Sequence, residues 1–265
     1  VQAAIERRNL DGVVSMTKNY GAYKVDFKYE SEPKVSIILS GKSSEKQLMK
    51  LLTTDWSKFE ILTNNAAVTD ERIRTFSSKN ENDLAKEATG EFLVFLTEEL
   101  VPTQITWLKE AMNFVRLPNV GAVTGKVISK DEAILNCGVI IDPAHERVVY
   151  EQQGLSNKTI GTYFRPALPR EIYTTTEDVI IISKENFFSL DGFDLTLPTA
   201  IKGIDFSIRL AKENKKLIFD PYFEVRYPGE NHFNIKKEAY DALTNKYSQE
   251  LNDPLINPNQ FSIGG

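Results

Sequence analysis

Two adjacent carboxylates follow one of the most apolar runs of the chain. Residues 92–96 read Phe-Leu-Val-Phe-Leu, and Thr97, Glu98 and Glu99 come directly after them. A continuous apolar run of this length indicates a strand buried on both faces, as in a parallel sheet covered by helices. Ligands of such sheets bind outside the carboxyl ends of the strands, where two carboxylates could hold a metal-bound diphosphate. The alternative is that Glu98 and Glu99 are solvated residues that merely end a strand.

Alternating strand and helix patterns predict the elements that would position these carboxylates. The first strand follows Pro33, and Ser44 with Gln47 fits a capping box that opens a helix carrying Leu48 and Leu51. Further strands are predicted at residues 59–63, 73–76, 91–97, 120–127, 133–141, 148–150, 179–182, 217–219 and 223–227. Further helices are predicted at residues 83–88, 105–115, 184–190, 204–214 and 235–247. The order strand, helix, strand, strand, helix, strand begins a parallel α/β sheet.

Apolar periodicity is weaker in three regions: both ends of the chain and one segment in its middle. We treat residues 1–32 as a leader, with a short helix among the apolar positions between Ala4 and Met16 and an extended segment over 23–29. Residues 152–171 read as a long loop, a feature that is often functional in compact domains. Residues 233–265 are predicted to form a last helix and a mobile tail rich in Asn, Pro and Gly.

Composition excludes several classes of protein. The 265 residues are 41% hydrophobic and carry a net charge of -5 without a basic block, which argues against nucleic acid as the main partner. No run reaches the length of a membrane span and no signal peptide is visible, so we expect a cytoplasmic protein. The single cysteine, Cys137, has apolar flanks and is expected to be buried. The start at Val1 suggests a piece of a longer protein.

Several short segments between residues 33 and 232 occur in the order found in one enzyme family. They are residues 35–38, 59–62, Asn82 with Ala85, Ala88 and Gly90, Trp107-Leu108 with residues 120–123, residues 138–140, 191–194 and 205–210. Together they resemble the family 2 glycosyltransferases, which have the GT-A fold. The resemblance implies an α/β domain with a Rossmann-like, mostly parallel central sheet flanked by helices.

The resemblance also implies a chemistry. Members of this family move a sugar from a nucleotide-diphosphate donor to an acceptor, here expected to be a glycan or a protein-linked glycan, and they generally invert the anomeric centre. A divalent ion, Mn²⁺ or Mg²⁺, held by an Asp-Xaa-Asp motif neutralises the leaving diphosphate. A separate carboxylate removes the proton of the acceptor hydroxyl.

This sequence departs from the family pattern at its functional positions. The Asp-Xaa-Asp positions read Thr97-Glu98-Glu99, and Lys202 and Gly203 stand where the family carries acids. The resemblance therefore implies Asp205, Glu177 and Asp178 as catalytic candidates, Ser40, Asn64, Asn65, Asn82, Thr97 and Glu98 as nucleotide-binding residues, and Glu99 and His232 as metal ligands.

These assignments have plain structural alternatives. Asp205 and Arg209 are spaced i,i+4, so they also fit an ion pair on a helix face. Glu177 and Asp178 also fit a polar pair at the start of a strand, and His232 fits a surface residue in a loop.

Two hypotheses about function remain. The chain is a working transferase with altered ligands, or a catalytically inactive glycosyltransferase-like domain that serves as a binding or scaffold module beside other domains or further copies of itself. A dinucleotide-binding Rossmann domain is disfavoured, because no Gly-Xaa-Gly-Xaa-Xaa-Gly follows the first strand.

Overall fold

The computed structural model describes residues 1–39, 41, 43–97, 99–230, 233–247, 251 and 253–256. The described strands are β1 (Gly12–Met16), β2 (Tyr23–Phe27), β3 (Val35–Leu39), β4 (Phe59–Thr63), β5 (Ile73–Thr75), β6 (Phe92–Leu96), β7 (Val101–Pro102), β8 (Val120–Ser129), β9 (Ile134–Asn136), β10 (Val139–Asp142), β11 (Arg147–Tyr150), β12 (Arg170–Ile172), β13 (Val179–Ser183) and β14 (Lys216–Tyr227). The described helices are α1 (Gln2–Glu6), α2 (Glu45–Leu52), α3 (Glu81–Glu87), α4 (Trp107–Val115), α5 (Lys184–Ser189), α6 (Lys202–Lys212) and α7 (Lys237–Tyr247), with short 3-10 turns at Pro143–His145 and Thr162–Phe164.

The central sheet is mixed but mostly parallel. Its strands lie in the order β12-β14-β8-β13-β6-β3-β4-β5. In addition, β7 pairs with β14 and β9 pairs with β8. Strands β5, β4, β3 and β6 run parallel to one another, as do β8 and β14, whereas β13 runs antiparallel between β6 and β8. The predicted α/β fold with a mostly parallel sheet is confirmed. The reversed direction of β13 was not predicted, and it shapes the site described below.

The apolar run predicted to be buried on both faces, at residues 92–96, is buried in this way. In β6, Val94 and Leu96 join one hydrophobic cluster, which also contains side chains of α2 and α4, while Leu93 and Phe95 join a second, which contains side chains of α3 and α5. Cys137 is fully buried, as expected. Packing on both faces fixes where each strand ends along the sheet. It therefore also fixes the positions of the residues that follow the strand.

The N-terminal region differs from the prediction. Residues 12–16 are a strand rather than part of a helix, and β1 pairs with β2 in an antiparallel hairpin with Gly12 opposite Phe27. The cross-strand pairs outweigh a helical periodicity that is weak in this stretch.

No helix in the described part of the chain is both long and apolar enough to cross a membrane.

Two further boundaries were misplaced. The strand predicted at 133–141 is divided into β9 and β10 at Gly138, whose φ of 116° a residue with a side chain rarely adopts. The strands predicted at 217–219 and 223–227 are one long strand, β14, with a shift of register relative to β8 between Asp220 and Glu224.

Candidate functional site

The carboxyl end of β6 meets the amino end of β13. Because the two strands are antiparallel, Leu96 pairs with Val179, and the backbone N–H of Thr97 donates a hydrogen bond of 3.0 Å to the carbonyl of Asp178. The residues that follow β6 and the acidic pair that precedes β13 therefore lie at the same edge of the sheet. The resemblance implied that both groups belong to one site, although 80 residues separate Thr97 from Glu177 in the sequence.

A cavity of about 390 Å³ opens at this edge. Its lining residues are Gly41, Glu81, Thr97, Glu99, Glu177, Asp178, Thr199, Lys202, Tyr227 and Phe233. Four of the residues predicted from the sequence, Thr97, Glu99, Glu177 and Asp178, are among them. A larger cavity of about 640 Å³ borders β2 and α4, but its lining contains none of the predicted site residues.

Helix α2 holds the loop that carries Glu99. Ser44 caps the helix as predicted, accepting a 3.2 Å hydrogen bond from the backbone N–H of Gln47. The Gln47 side chain, however, does not complete a capping box: its Nε2 donates to the carbonyls of Thr97 at 3.2 Å and Leu100 at 3.0 Å. Between these two anchors Glu99 is exposed and adopts a left-handed backbone with φ of 63°. Such a conformation costs a non-glycine residue about 1–2 kcal/mol, so the turn is imposed by its surroundings.

Glu177 is held by the start of helix α6. It is 4% exposed, and its two carboxylate oxygens accept hydrogen bonds from the backbone N–H groups of Ala200 at 3.0 Å and Gly203 at 3.1 Å. A Cβ atom built on Gly203 would lie 2.2 Å from the backbone nitrogen of Glu177. The family's acidic residue therefore cannot be accommodated at position 203 with this packing.

Asp178 has the properties of a proton acceptor. Its Oδ2 accepts hydrogen bonds from the hydroxyl of Thr176 and, at 3.4 Å, from Nδ2 of Asn136. Among the described residues, none donates to its other oxygen, Oδ1. Burial, and secondly the negative charge of Glu177, raise the pKa of Asp178 to about 7. A carboxyl group with a pKa near neutrality is well matched to general base catalysis.

Lys202 brings a positive charge to the cavity. Its Nζ lies 2.9 Å from Oε1 of Glu81 and 4.0 Å from Oε1 of Glu177. The side chain is 10% exposed, and it is the one lysine, arginine or histidine among the described lining residues. Glu81 and Lys202 were not predicted from the sequence as site residues. The lysine at position 202, where the family carries an acid, was a signal that this position belongs to the site.

Aromatic rings form another part of the lining. Tyr227 and Phe233 pack edge to face, with ring centroids 5.7 Å apart. Phe233 also packs against Tyr150, at 5.8 Å. Neither Tyr227 nor Phe233 was predicted as a site residue, because single aromatic residues in a sequence are not distinguishable from core residues.

Asp205 lies outside the cavity lining. It is fully buried, and its carboxylate contacts Nε of Arg209 at 2.9 Å, Nζ of Lys246 at 2.6 Å and the hydroxyl of Tyr247. The helix-face ion pair suggested by the i,i+4 spacing is thus present, and helix α7 closes over it. These contacts account for Asp205 structurally, and a catalytic role for it stays a prediction.

Three predicted asparagines also lie outside the cavity lining. The Asn82 amide accepts a hydrogen bond from the backbone N–H of Phe193 at 3.0 Å and donates one to the carbonyl of Phe193 at 2.8 Å. The Asn64 amide likewise accepts from the backbone N–H of Lys79 and donates to the carbonyl of Lys79. Asn65 is exposed. Asn82 and Asn64 fasten loops to the frame, and the nucleotide-binding role of all three stays a prediction.

The remaining predicted residues, Ser40, Glu98 and His232, lie outside the described residues. In the part of the chain that the structure describes, no three acidic, histidine or cysteine side chains are close enough to hold a metal ion. The described carboxylates of the cavity offer the hard oxygen donors that Mn²⁺ and Mg²⁺ prefer, but they do not by themselves form the expected set of ligands. We therefore derive no chemical step through a metal.

Comparisons with known proteins agree with this architecture. No family model matches the sequence. The chain is 25% identical over 225 residues to the O-antigen biosynthesis protein RfbC of Myxococcus xanthus, a match that covers 74% of this chain and 17% of that protein. It is 21% identical over 206 residues to the uncharacterized protein y4gI of Sinorhizobium fredii, covering 72% of this chain and 22% of that protein.

Two solved glycosyltransferases share the fold. GalNAc-T7, solved with UDP, GalNAc and Mn²⁺, superposes with a TM-score of 0.60 and 12% identity over 90% of this chain and 52% of its own. The mannosyltransferase PcManGT of Pyrobaculum calidifontis, solved with GDP-Man and Mn²⁺, superposes with a TM-score of 0.50 and 14% identity over 77% of this chain and 59% of its own. The predicted GT-A glycosyltransferase fold is confirmed. The chain spans about a fifth of the curated relatives and just over half of the solved chains.

Proposed function

We propose that this chain transfers a sugar from a nucleotide-diphosphate donor to a hydroxyl group of a glycan or protein-linked acceptor. The observation that carries the proposal is the meeting of Thr97 and Glu99, after β6, with Glu177 and Asp178, before β13, in one cavity. The fold shared with sugar transferases supports the same conclusion. Inversion at the anomeric carbon is the outcome that the resemblance implies.

Asp178 is the residue best suited to act as the base. Its Oδ1 would take the proton of the acceptor hydroxyl while that oxygen forms a bond to the anomeric carbon of the donor sugar. The bond from the anomeric carbon to the diphosphate breaks in the same step, and the nucleoside diphosphate leaves with the electron pair. Glu177, tied to two backbone N–H groups, is better placed to position Asp178 and to raise its pKa than to take the proton itself.

Titration calorimetry with UDP and GDP, each with and without Mn²⁺, tests the donor site. We expect at least one nucleotide to bind, and the corresponding nucleotide sugars to be hydrolysed or transferred. Asp178→Asn should keep nucleotide binding and lose turnover by a factor of about 10²–10⁴, the usual contribution of a general base. Absence of binding by both nucleotides under both conditions would contradict the proposal.

An inactive binding or scaffold module is the second candidate. It is favoured by the contacts that enclose Asp205 and by the packing that excludes an acidic side chain at position 203. Donor hydrolysis that disappears in Glu99→Ala would rule it out. Glu146→Ala is a matched control, because Glu146 is also exposed and also has a left-handed backbone, with φ of 49°, but it does not line the cavity.

A further inference from the structure

Lys202 forms one short ion pair with the carboxylates that line the cavity. Of the four lining carboxylates, Glu81 lies 2.9 Å from its Nζ and Glu177 lies 4.0 Å away. Glu177 also accepts two backbone N–H groups. An ammonium group has three hydrogens to donate, so Lys202 can keep Glu81 and still bind an oxygen of a ligand in the cavity.

The position of Lys202 is fixed by its backbone. It is the first residue of helix α6, and the next residue, Gly203, packs directly against the backbone of Thr176 and Glu177, just before β13. The ammonium group lies 4.0 Å from Oε1 of Glu177, the residue before the proposed base, and Lys202 lines the same cavity as Thr97 and Glu99. An acidic side chain here would repel a diphosphate, whereas a lysine attracts it as a compact point charge.

We propose that Lys202 binds the diphosphate of the donor and offsets the charge that develops on it as the sugar leaves, and that it does so with or without a divalent ion. The inference rests on the proposed function and adds to it a residue that binds the leaving group. Fixed positive charge directed at the place where negative charge develops is among the strongest contributions to catalysis. Glu81 then competes with the diphosphate electrostatically: its negative charge offsets the charge of the same ammonium group and repels the incoming anion, although both can be hydrogen-bonded to it.

This competition gives a test in which two variants move in opposite directions. Inorganic pyrophosphate, UDP and GDP are titrated into the intact chain in EDTA and again in Mn²⁺. Lys202→Gln should weaken binding of pyrophosphate and of the preferred nucleotide about tenfold or more, because a charge-assisted hydrogen bond is lost. Glu81→Gln, which removes the competing carboxylate, should strengthen the same binding. If the pair served only as a structural brace, both variants would weaken binding together.

Controls separate this inference from the proposed function. Lys216→Gln breaks a comparable ion pair, 2.6 Å from Glu171, in a residue that does not line the cavity, and should leave binding unchanged. Unfolding temperatures of all variants show whether they fold. The inference is overturned if the wild type binds UDP or GDP and Lys202→Gln binds equally well in both EDTA and Mn²⁺. Failure of the wild type to bind either nucleotide would instead overturn the proposed function.

Discussion

Gly203 packs against the backbone and the carboxylate of Glu177, a residue that lines the cavity. The backbone N–H of Gly203 donates to Oε2 of Glu177 at 3.1 Å, and the space around its Cα leaves no room for a Cβ atom. Helix α6 can thus approach Thr176 and Glu177, in the turn before β13, only because position 203 lacks a side chain. The same contact keeps Asp178 next to a buried negative charge.

The first prediction concerns this contact. Gly203→Ala should destabilise the fold by at least about 1–3 kcal/mol, the usual cost of overpacking, and should weaken nucleotide binding because α6 is displaced. Gly154→Ala is the control: it has no neighbour within 4 Å, so it should cost only the strain of its positive φ, about 1 kcal/mol. Thermal unfolding and titration calorimetry measure both effects. Equal losses in the two variants would contradict the close packing at position 203.

The second prediction is a pH dependence that comes from Asp178. Its pKa of about 7 means that the carboxyl group becomes a base only as the pH rises through neutrality. We expect turnover to increase about tenfold per pH unit below 7 and to level off above it. The plateau should shift to lower pH in Glu177→Gln, because one of the two causes of the raised pKa is removed.

Asp178 should also make the stability of the fold depend on pH. Stability should fall as the pH rises, whereas turnover should increase. Because the folded state binds this proton more tightly than the unfolded state, whose pKa is near 3.8, the stabilisation is complete below about pH 4 and is lost as the pH rises to about 7. Asp178→Asn should remove this contribution to the pH dependence. Denaturant unfolding at several pH values measures it, and an unchanged slope in the variant would contradict the assignment.

The third prediction separates the two roles considered for Asp205. If the residue is structural, Asp205→Asn should lower the free energy of unfolding by about 1.5–3 kcal/mol, since hydrogen bonds from two partly exposed cations to the buried carboxylate lose their charge, while the folded fraction keeps its turnover. Tyr247→Phe, which removes one of the same contacts, should be destabilising to a smaller degree. An Asp205→Asn protein that is stable but inactive would instead establish a catalytic role.

The fourth prediction concerns the anchor of the loop after β6. Gln47→Ala removes two hydrogen bonds to the carbonyls of Thr97 and Leu100 and should destabilise the protein by about 1–3 kcal/mol. Amide hydrogen exchange should accelerate at Leu100, and nucleotide binding should weaken. Ser44→Ala removes the helix cap alone and should cost about 1 kcal/mol without affecting exchange at Leu100. Identical exchange in the two variants would show that Gln47 does not hold the loop.

Much of the fold could be predicted from local patterns. The continuous apolar run at residues 92–96 identified a strand buried on both faces. The run at residues 179–182 identified a further strand, and the Ser44 cap identified the start of α2. These signals are local and strong. They also fixed the ends of the strands, and so placed Thr97, Glu99, Glu177 and Asp178 correctly at strand ends.

The rest depended on contacts between distant segments. Nothing in residues 179–182 shows that β13 runs antiparallel, since a fully buried strand has no polar face from which to infer its neighbours. Asn82 and Asp205 have the residue types of ligands, but their partners are the backbone of Phe193 and side chains of α6 and α7. Lys202 entered the prediction only as a departure from a pattern, because the sequence does not reveal its partner, Glu81.

The hydrogen bond between Thr97 and Asp178 joins the part of the cavity lining that follows β6 to the part that precedes β13. Because this bond extends the pairing of β6 with β13, the spacing of the two residues is set when the chain folds. If the chain transfers a sugar as proposed, differences in the sugar or acceptor used would arise at the rim of the cavity, from exposed lining residues such as Gly41 and Thr199. Exchanging these rim residues should retune selectivity while the geometry of bond making is preserved.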